Sequence, residues 1–249
     1  GRGGFSAGTP IPVGHQPHSL AAGFFNRDLR PDLVVANSES DTISVLLGNG
    51  SGGFTAGPTL PGGDGPWYIS VGFLNRDLKL DLAVANVLGD TVSIFLGNGA
   101  GGFAAAAPIP VGHVPYGIAI ADLNRDGKAD LSVANQFAHS LSILFGDGTG
   151  SFSPAPGSPV PVATAPSWVK AADLNRDGKL DLAATSQGTD AVTILLGDGV
   201  GGFAPAPGSP VPVASDCVRP GHACGPTPLA VVDMNRDGIL DQRDINVIA

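Results

Sequence analysis

The chain has 249 residues, 43% of them hydrophobic, enough to bury a core, yet its 37 Gly and 22 Pro argue against a mainly helical fold, because each costs a helix interior roughly 1 or 3 kcal/mol respectively. A net charge of −9, with 13 Lys and Arg and no basic run, argues against an electrostatic nucleic-acid surface or an anionic-membrane anchor. No apolar stretch approaches the roughly 18 residues of a membrane-spanning helix.

The acids are 21 Asp against a single Glu, Glu39. Asp is a residue of turns and metal loops, whereas Glu favours helices. The chain begins at Gly1 without an initiator Met or signal segment, which reads as a mature form or an excised segment.

In chain order, Gly3-Gly4-Phe5-Ser6-Ala7-Gly8 matches the last strand of a unit that then recurs. Each unit opens on a Pro (Pro17, Pro66, Pro115, Pro166, Pro226) and an apolar run. Asn-Arg-Asp follows, at Asn26, Asn75, Asn124, Asn175 and Asn235. Next comes Asp-Leu with small residues, as in Asp32 to Asn37. A run such as Thr42-Ile43-Ser44-Val45 alternates with the period of a strand. It ends in Gly48-Asn49-Gly50, Gly97-Asn98-Gly99, Gly146-Asp147-Gly148 or Gly197-Asp198-Gly199, which predict hairpins with type I′ turns. Phe54, Phe103, Phe152 and Phe203 open the closing strands.

Four short antiparallel strands in about 50 residues cannot bury both faces alone, and radial stacking solves that. The expected fold is an all-β propeller occupying residues 1–249, with repeats at 5–54, 55–103, 104–152, 153–203 and 204–249. Five blades, closed by the N-terminal strand, and an open arc of a larger ring both fit.

The loops carry the chemistry. Asp122, Asn124, Asp126 and Asp130 place oxygens at positions 1, 3, 5 and 9, with Gly127 at 6 and the Lys128 carbonyl at 7. That is the spacing of a calcium loop, in which a hard cation takes six to eight oxygens. The fourth repeat supplies Asp173, Asn175, Asp177, Lys179 and Asp181. The fifth supplies Asp233, Asn235, Asp237, Ile239 and Asp241. About three Ca²⁺ sites are expected. Repeats one and two keep Asn26, Asp28, Asp32 and Asn75, Asp77, Asp81, but place Phe24 or Phe73 at position 1 and Leu29 or Leu78 at position 6. Those two loops are expected to keep the fold and bind calcium poorly or not at all.

The string Asp-Leu-Asn-Arg-Asp-Gly-Lys-x-Asp-Leu-x-Val-Ala-Asn, followed by Leu-Gly-Asn-Gly-x-Gly-Gly-Phe, resembles the FG-GAP (VCBS-type) repeat. Its name-giving elements stand at Gly53-Phe54 and Ala56-Gly57-Pro58. The resemblance covers essentially the whole chain. It implies a propeller like the head of integrin α subunits, with calcium in the loop between the first two strands of a blade. It also implies roles in adhesion, ligand binding or scaffolding at cell surfaces. At the C-terminus, Asp233 to Asp244 also fits a twelve-residue EF-hand loop, so residues 233–249 read either as the first half of a dockerin, with a helix starting at Asp244, or as a blade loop with a diverged strand.

Cys217 and Cys224 suit a local disulfide in an oxidising compartment, closing a loop of about eight residues; the other reading is two free thiols in a surface loop. Trp67, Tyr68, Tyr116 and Trp168 all follow the unit's opening Pro, so they are expected on one face, opposite the loops. There they would either stack on sugars or protein ligands or pack between blades. His15 and His113 share one repeat position and read as duplicated loop residues. No HExxH, GxSxG, Walker loop or helix-opening GxGxxG is present. The expectation is a non-catalytic, calcium-binding adhesion or protein-interaction module, secreted or at the cell surface. Its partner would be a protein or glycan, with no nucleic acid and no membrane span. A lectin, or a non-catalytic segment of a larger surface enzyme, is the alternative.

Overall fold

A computed structural model describes residues 10–213 and the strands Leu229–Val231 and Ile245–Val247. Four antiparallel sheets follow one another. The first is β1 (Pro17–Gly23), β2 (Asp32–Asn37), β3 (Thr42–Gly48) and β4 (Phe54–Pro61), paired in that order. The second is β5 (Pro66–Gly72), β6 (Asp81–Asn86), β7 (Thr91–Gly97) and an outer strand split into β8 (Phe103–Ala105) and β9 (Ile109–Pro110). The third, β10 (Pro115–Ala121), β11 (Asp130–Asn135), β12 (Ser140–Gly146), β13 (Phe152–Pro154) and β14 (Val160–Pro161), repeats that plan. So does the fourth: β15 (Pro166–Ala172), β16 (Asp181–Ser186), β17 (Ala191–Gly197), β18 (Phe203–Pro205) and β19 (Val211–Pro212). The last two strands, β20 (Leu229–Val231) and β21 (Ile245–Val247), pair antiparallel, as the first two strands of a blade do.

Successive first strands β1, β5, β10 and β15 lie against one another, so the sheets converge on that edge like the blades of a propeller. Period-two alternation sends neighbouring side chains to opposite sheet faces, and both faces are covered. Val34, Ala36, Ile43 and Val45 of blade one pack on Ile69, Leu82, Val84 and Phe95 of blade two. The other face of blade two, through Ala83, Ala85, Val92 and Ile94, packs on Ile118, Leu131, Val133 and Leu144. Ala134, Leu141 and Ile143 then meet Leu182, Ala184 and Leu195. This is why β6, β11 and β16 are buried along their whole length.

The polar members of the alternation are buried too. Ser44, Ser93 and Ser142 accept hydrogen bonds from the Nδ2 groups of Asn37, Asn86 and Asn135 at 3.0, 2.8 and 2.9 Å. Alternation in β7 and β12 thus divides residues between two neighbouring blades, not between core and water.

The hairpins closing each third strand differ from the type I′ expectation. Asn49, Asn98, Asp147 and Asp198 are absent from the residues with positive φ, which instead fall on Gly50, Gly52 and their equivalents. The turn is a longer loop, in which Asn49 Oδ1 accepts the Ser51 and Gly53 amides and the Asn49 amide donates to the Gly53 carbonyl. The side chain, rather than a two-residue turn, sets its shape.

Candidate calcium loops and aromatic cluster

The Asn-Arg-Asp loops connect the first and second strands, so all lie at one end of the blades, beside the third-to-fourth strand hairpins. Their anchor is the position-9 Asp. Asp32, Asp81, Asp130 and Asp181 are fully buried. One oxygen of Asp81 accepts the Leu74 amide at 2.9 Å and the other accepts the Gly97 amide at 2.8 Å. Asp32, Asp130 and Asp181 make the same pair of bonds. Each carboxylate thus ties the start of its loop to the end of the third strand. Burial pushes the Asp81 and Asp130 carboxyls above the usual carboxylate range, against the lowering effect of these amides.

Above the anchor, the Asn at position 3 accepts the amide of position 5, and the Asp at position 5 accepts the amide of position 7, in all four loops. The ammonium groups of Lys79, Lys128 and Lys179 lie 2.8, 2.8 and 3.0 Å from Asp77, Asp126 and Asp177, and hold those exposed carboxyls below their usual range. Repeats three and four add the position-1 Asp. Asp122 accepts the Asp126 and Gly127 amides through its two oxygens. Asp173 accepts the Gly178 amide at 2.9 Å through Oδ2, while its buried Oδ1 has no hydrogen-bond partner. As they stand, no three Asp, Glu, His or Cys side chains among the described residues are gathered closely enough to hold an ion.

Repeats one and two differ as the sequence suggests. Phe24, Leu29, Phe73 and Leu78 are 51%, 86%, 53% and 76% exposed. Leu29 and Leu78 sit at φ 65° and 58°, the conformation that Gly127 and Gly178 adopt at φ 78° and 79°. A branched residue held there costs roughly 1–2 kcal/mol. The sequence signal is the paired exchange of Asp for Phe and Gly for Leu, and the structure adds that all four replacements are exposed.

The expected aromatic group gathers at the opposite end of the first strands. His18 stacks on Trp67 with centroids 3.6 Å apart, and Trp67 meets Tyr116 at 5.2 Å. Tyr68 of blade two meets Trp168 of blade four edge-on at 4.9 Å. That contact spans blade three, whose residue at the same position is Gly117. A Cβ there would lie 2.8 Å from the Ser167 carbonyl oxygen and 3.0 Å from the Trp168 Cα. The sequence showed the aromatics and did not show that a glycine between them lets them meet. Burial raises the Tyr68 and Tyr116 hydroxyls above their usual range. His113 is exposed, with its Nδ1 3.0 Å from Asp90.

Gly3–Gly8, Cys217, Cys224 and the fifth loop (Asp233, Asn235, Asp237, Ile239, Asp241, Asp244) lie outside the described residues. Val231 pairs with Ile245, whereas Ala171 at the same place pairs with Leu182, so the fifth connection spans three more residues than the fourth. Among the described residues, no helix is long and apolar enough to cross a membrane.

The FG-GAP-like repeat matches four times in overlapping copies, at residues 25–84, 74–133, 122–184 and 173–242. The chain belongs to the FG-GAP-like repeat family. Each copy of the FG-GAP-like unit runs from one Asn-Arg-Asp loop through the next, so the loops described above are its recurring feature. No curated protein matches the chain. Among solved structures, it is similar to a protein from Lactobacillus plantarum, with 18% identity and a TM-score of 0.57 over 79% of this chain and 57% of that one. It is also similar to a Bacteroides uniformis protein described as a candidate 6-phosphogluconolactonase, with 15% identity and a TM-score of 0.56 over 74% of this chain and 54% of that one. A third is BBS1N, solved in complex with ARL6DN, with 15% identity and a TM-score of 0.50 over 74% of this chain and 52% of that one. This FG-GAP chain spans a little over half the length of those structures, and the likeness shows the fold.

Proposed function

We propose that this FG-GAP propeller domain is a non-catalytic interaction module of a secreted or surface protein, with loops three and four, and the fifth by its sequence, held by calcium. The observation that carries the reading is Asp173, whose Oδ1 is buried without a partner in an acidic loop while Oδ2 is fixed by Gly178. An unpaired buried oxygen is costly, and a hard cation that favours oxygen donors relieves that cost. Asp122, Asn124, Asp126, the Lys128 carbonyl and Asp130 would hold one ion. Asp173, Asn175, Asp177, the Lys179 carbonyl and Asp181 would hold another. The ion supplies a charge that neutralises crowded carboxylates and binds only the folded loop.

Calcium at 100 times its dissociation constant adds about 2.7 kcal/mol per site. A thermal melt in millimolar calcium should therefore lie several degrees above one in EGTA. Asp122→Ala/Asp173→Ala should remove most of that difference. Identical melts with and without calcium would overturn the reading.

The aromatic cluster is better read as structural. Trp67 is already stacked on His18 and tilted against Tyr116, leaving little ring face for a sugar.

A further inference from the structure

We propose that the degenerate loops of repeats one and two form a docking site for a protein segment carrying a large apolar side chain flanked by carboxylates. Loops three and four make the same turn with Asp and Gly at positions 1 and 6. Phe24, Leu29, Phe73 and Leu78 are therefore not needed to build the turn. They leave four large apolar groups in water and two leucines in a glycine conformation. Strain and apolar exposure kept together at neighbouring loops mark a binding surface.

The two loops enclose a groove of about 510 Å³, lined by Phe24, Leu29, Phe73, Leu78 and Leu80, with Arg27 and Lys79 at its edge. Arg27 donates to the Leu78 carbonyl at 3.1 Å and so fixes one loop against the other.

Charge selects the occupant. Of the loop cations, Arg27 and Lys79 line the groove; Lys79 and Arg30 pair with Asp77 and Asp28, Arg76 lies beside Gly148 of the next blade, and the remaining acids, Asp32 and Asp81, are buried, so Arg27 is the cation at the groove without a carboxylate partner among the described residues. A locally cationic, apolar groove on a chain of net charge −9 complements a short acidic-apolar segment. A wide anionic bilayer would meet the repulsion of the rest of the molecule. The site is independent of calcium in loops three and four.

The test is selection of random phage-displayed peptides on the wild-type chain and on Phe24→Asp/Leu29→Gly/Phe73→Asp/Leu78→Gly. That variant carries at these positions the residues of loops three and four, and its fold is checked by circular dichroism. Leu29→Gly/Leu78→Gly serves as a second variant should the first not fold. The expected result is enrichment of Phe or Leu flanked by Asp or Glu on the wild type, with binding of the selected peptides at least tenfold weaker on the variant and weaker in high salt. Three results would overturn the proposal: no enrichment, enrichment without acidic residues, or equal binding to the variant. So would co-sedimentation with phosphatidylserine vesicles, or self-association in sedimentation equilibrium, that the variant abolishes; these would assign the groove to a lipid or to a second copy.

Discussion

Asp81 illustrates how one side chain fastens a blade. Both its oxygens accept backbone amides, from Leu74 and Asn75 on one side and Gly97 on the other. Asn at this position keeps the shape but turns an NH₂ toward an amide donor. Hydrogen bonds to charged groups contribute about 1.5–3 kcal/mol, and a buried donor left unpaired adds to the loss. Asp81→Asn should therefore lower stability by about 2–3 kcal/mol in denaturant unfolding, with or without calcium, because loop two lacks the position-1 acid. A change under about 0.5 kcal/mol would show that the anchor is dispensable. Its partner Gly97 is constrained differently. A Cβ there would run into the Leu80 carbonyl oxygen, as it would at Gly48, Gly146 and Gly197 with the carbonyls of Pro31, Ala129 and Leu180. The neighbour is backbone and cannot swing aside, so Gly97→Ala should cost about 3 kcal/mol. The recurring Gly was legible in the sequence. Its reason was not, because the close approach is between segments that touch only after the blade has formed.

At the scale of strands, what was legible followed from local chemistry repeated at a fixed interval. Pro at the start of β1, β5, β10 and β15, Asp-Leu at the second strands and Gly-Asn-Gly after the third predicted strands where strands are found. The hairpins depart from the type I′ expectation because Asn49 works through its side chain over a longer loop. The alternation of Thr42 to Val45 was open to misreading because a two-sided burial has the same period as a one-sided one. The meeting of Tyr68 with Trp168 was out of reach for another reason: it depends on three blades converging on one edge, with Gly117 between. That arrangement is testable. Gly117→Val should push β10 and β15 apart, cost about 1–3 kcal/mol, and shift Trp fluorescence to longer wavelength as Trp168 gains water. Unchanged emission would mean that the ring does not rely on the glycine.

For the whole molecule, charge and burial combine into a pH dependence with a definite sign. The folded chain without calcium carries net charge −9 with a pI near 4.7, and self-repulsion weakens as pH falls toward that value. The raised carboxyls of Asp81 and Asp130 act in the same direction: their contribution is complete below the unfolded pKa and is lost as pH rises through the folded one. Groups lowered by their partners act oppositely. Asp77, Asp126 and Asp177 by their lysines, Asp90 by the Val114 amide and His113, and Asp147 by Thr149 give stability that is present above the unfolded carboxylate range and lost as pH drops through their folded values. Asp77, Asp126, Asp147 and Asp177 are exposed and Asp90 is half-buried at the surface, so solvent screens them and their share is small. In EGTA the melting temperature should therefore rise by a few degrees from pH 8 to about pH 5, and fall only below about pH 4, as the lowered carboxyls protonate. Thermal melts at one ionic strength across that range decide it. A melting temperature that stays level from pH 8 to pH 5 and falls only below about pH 4 would mean that the amides favour the charged anchors at least as much as burial disfavours them.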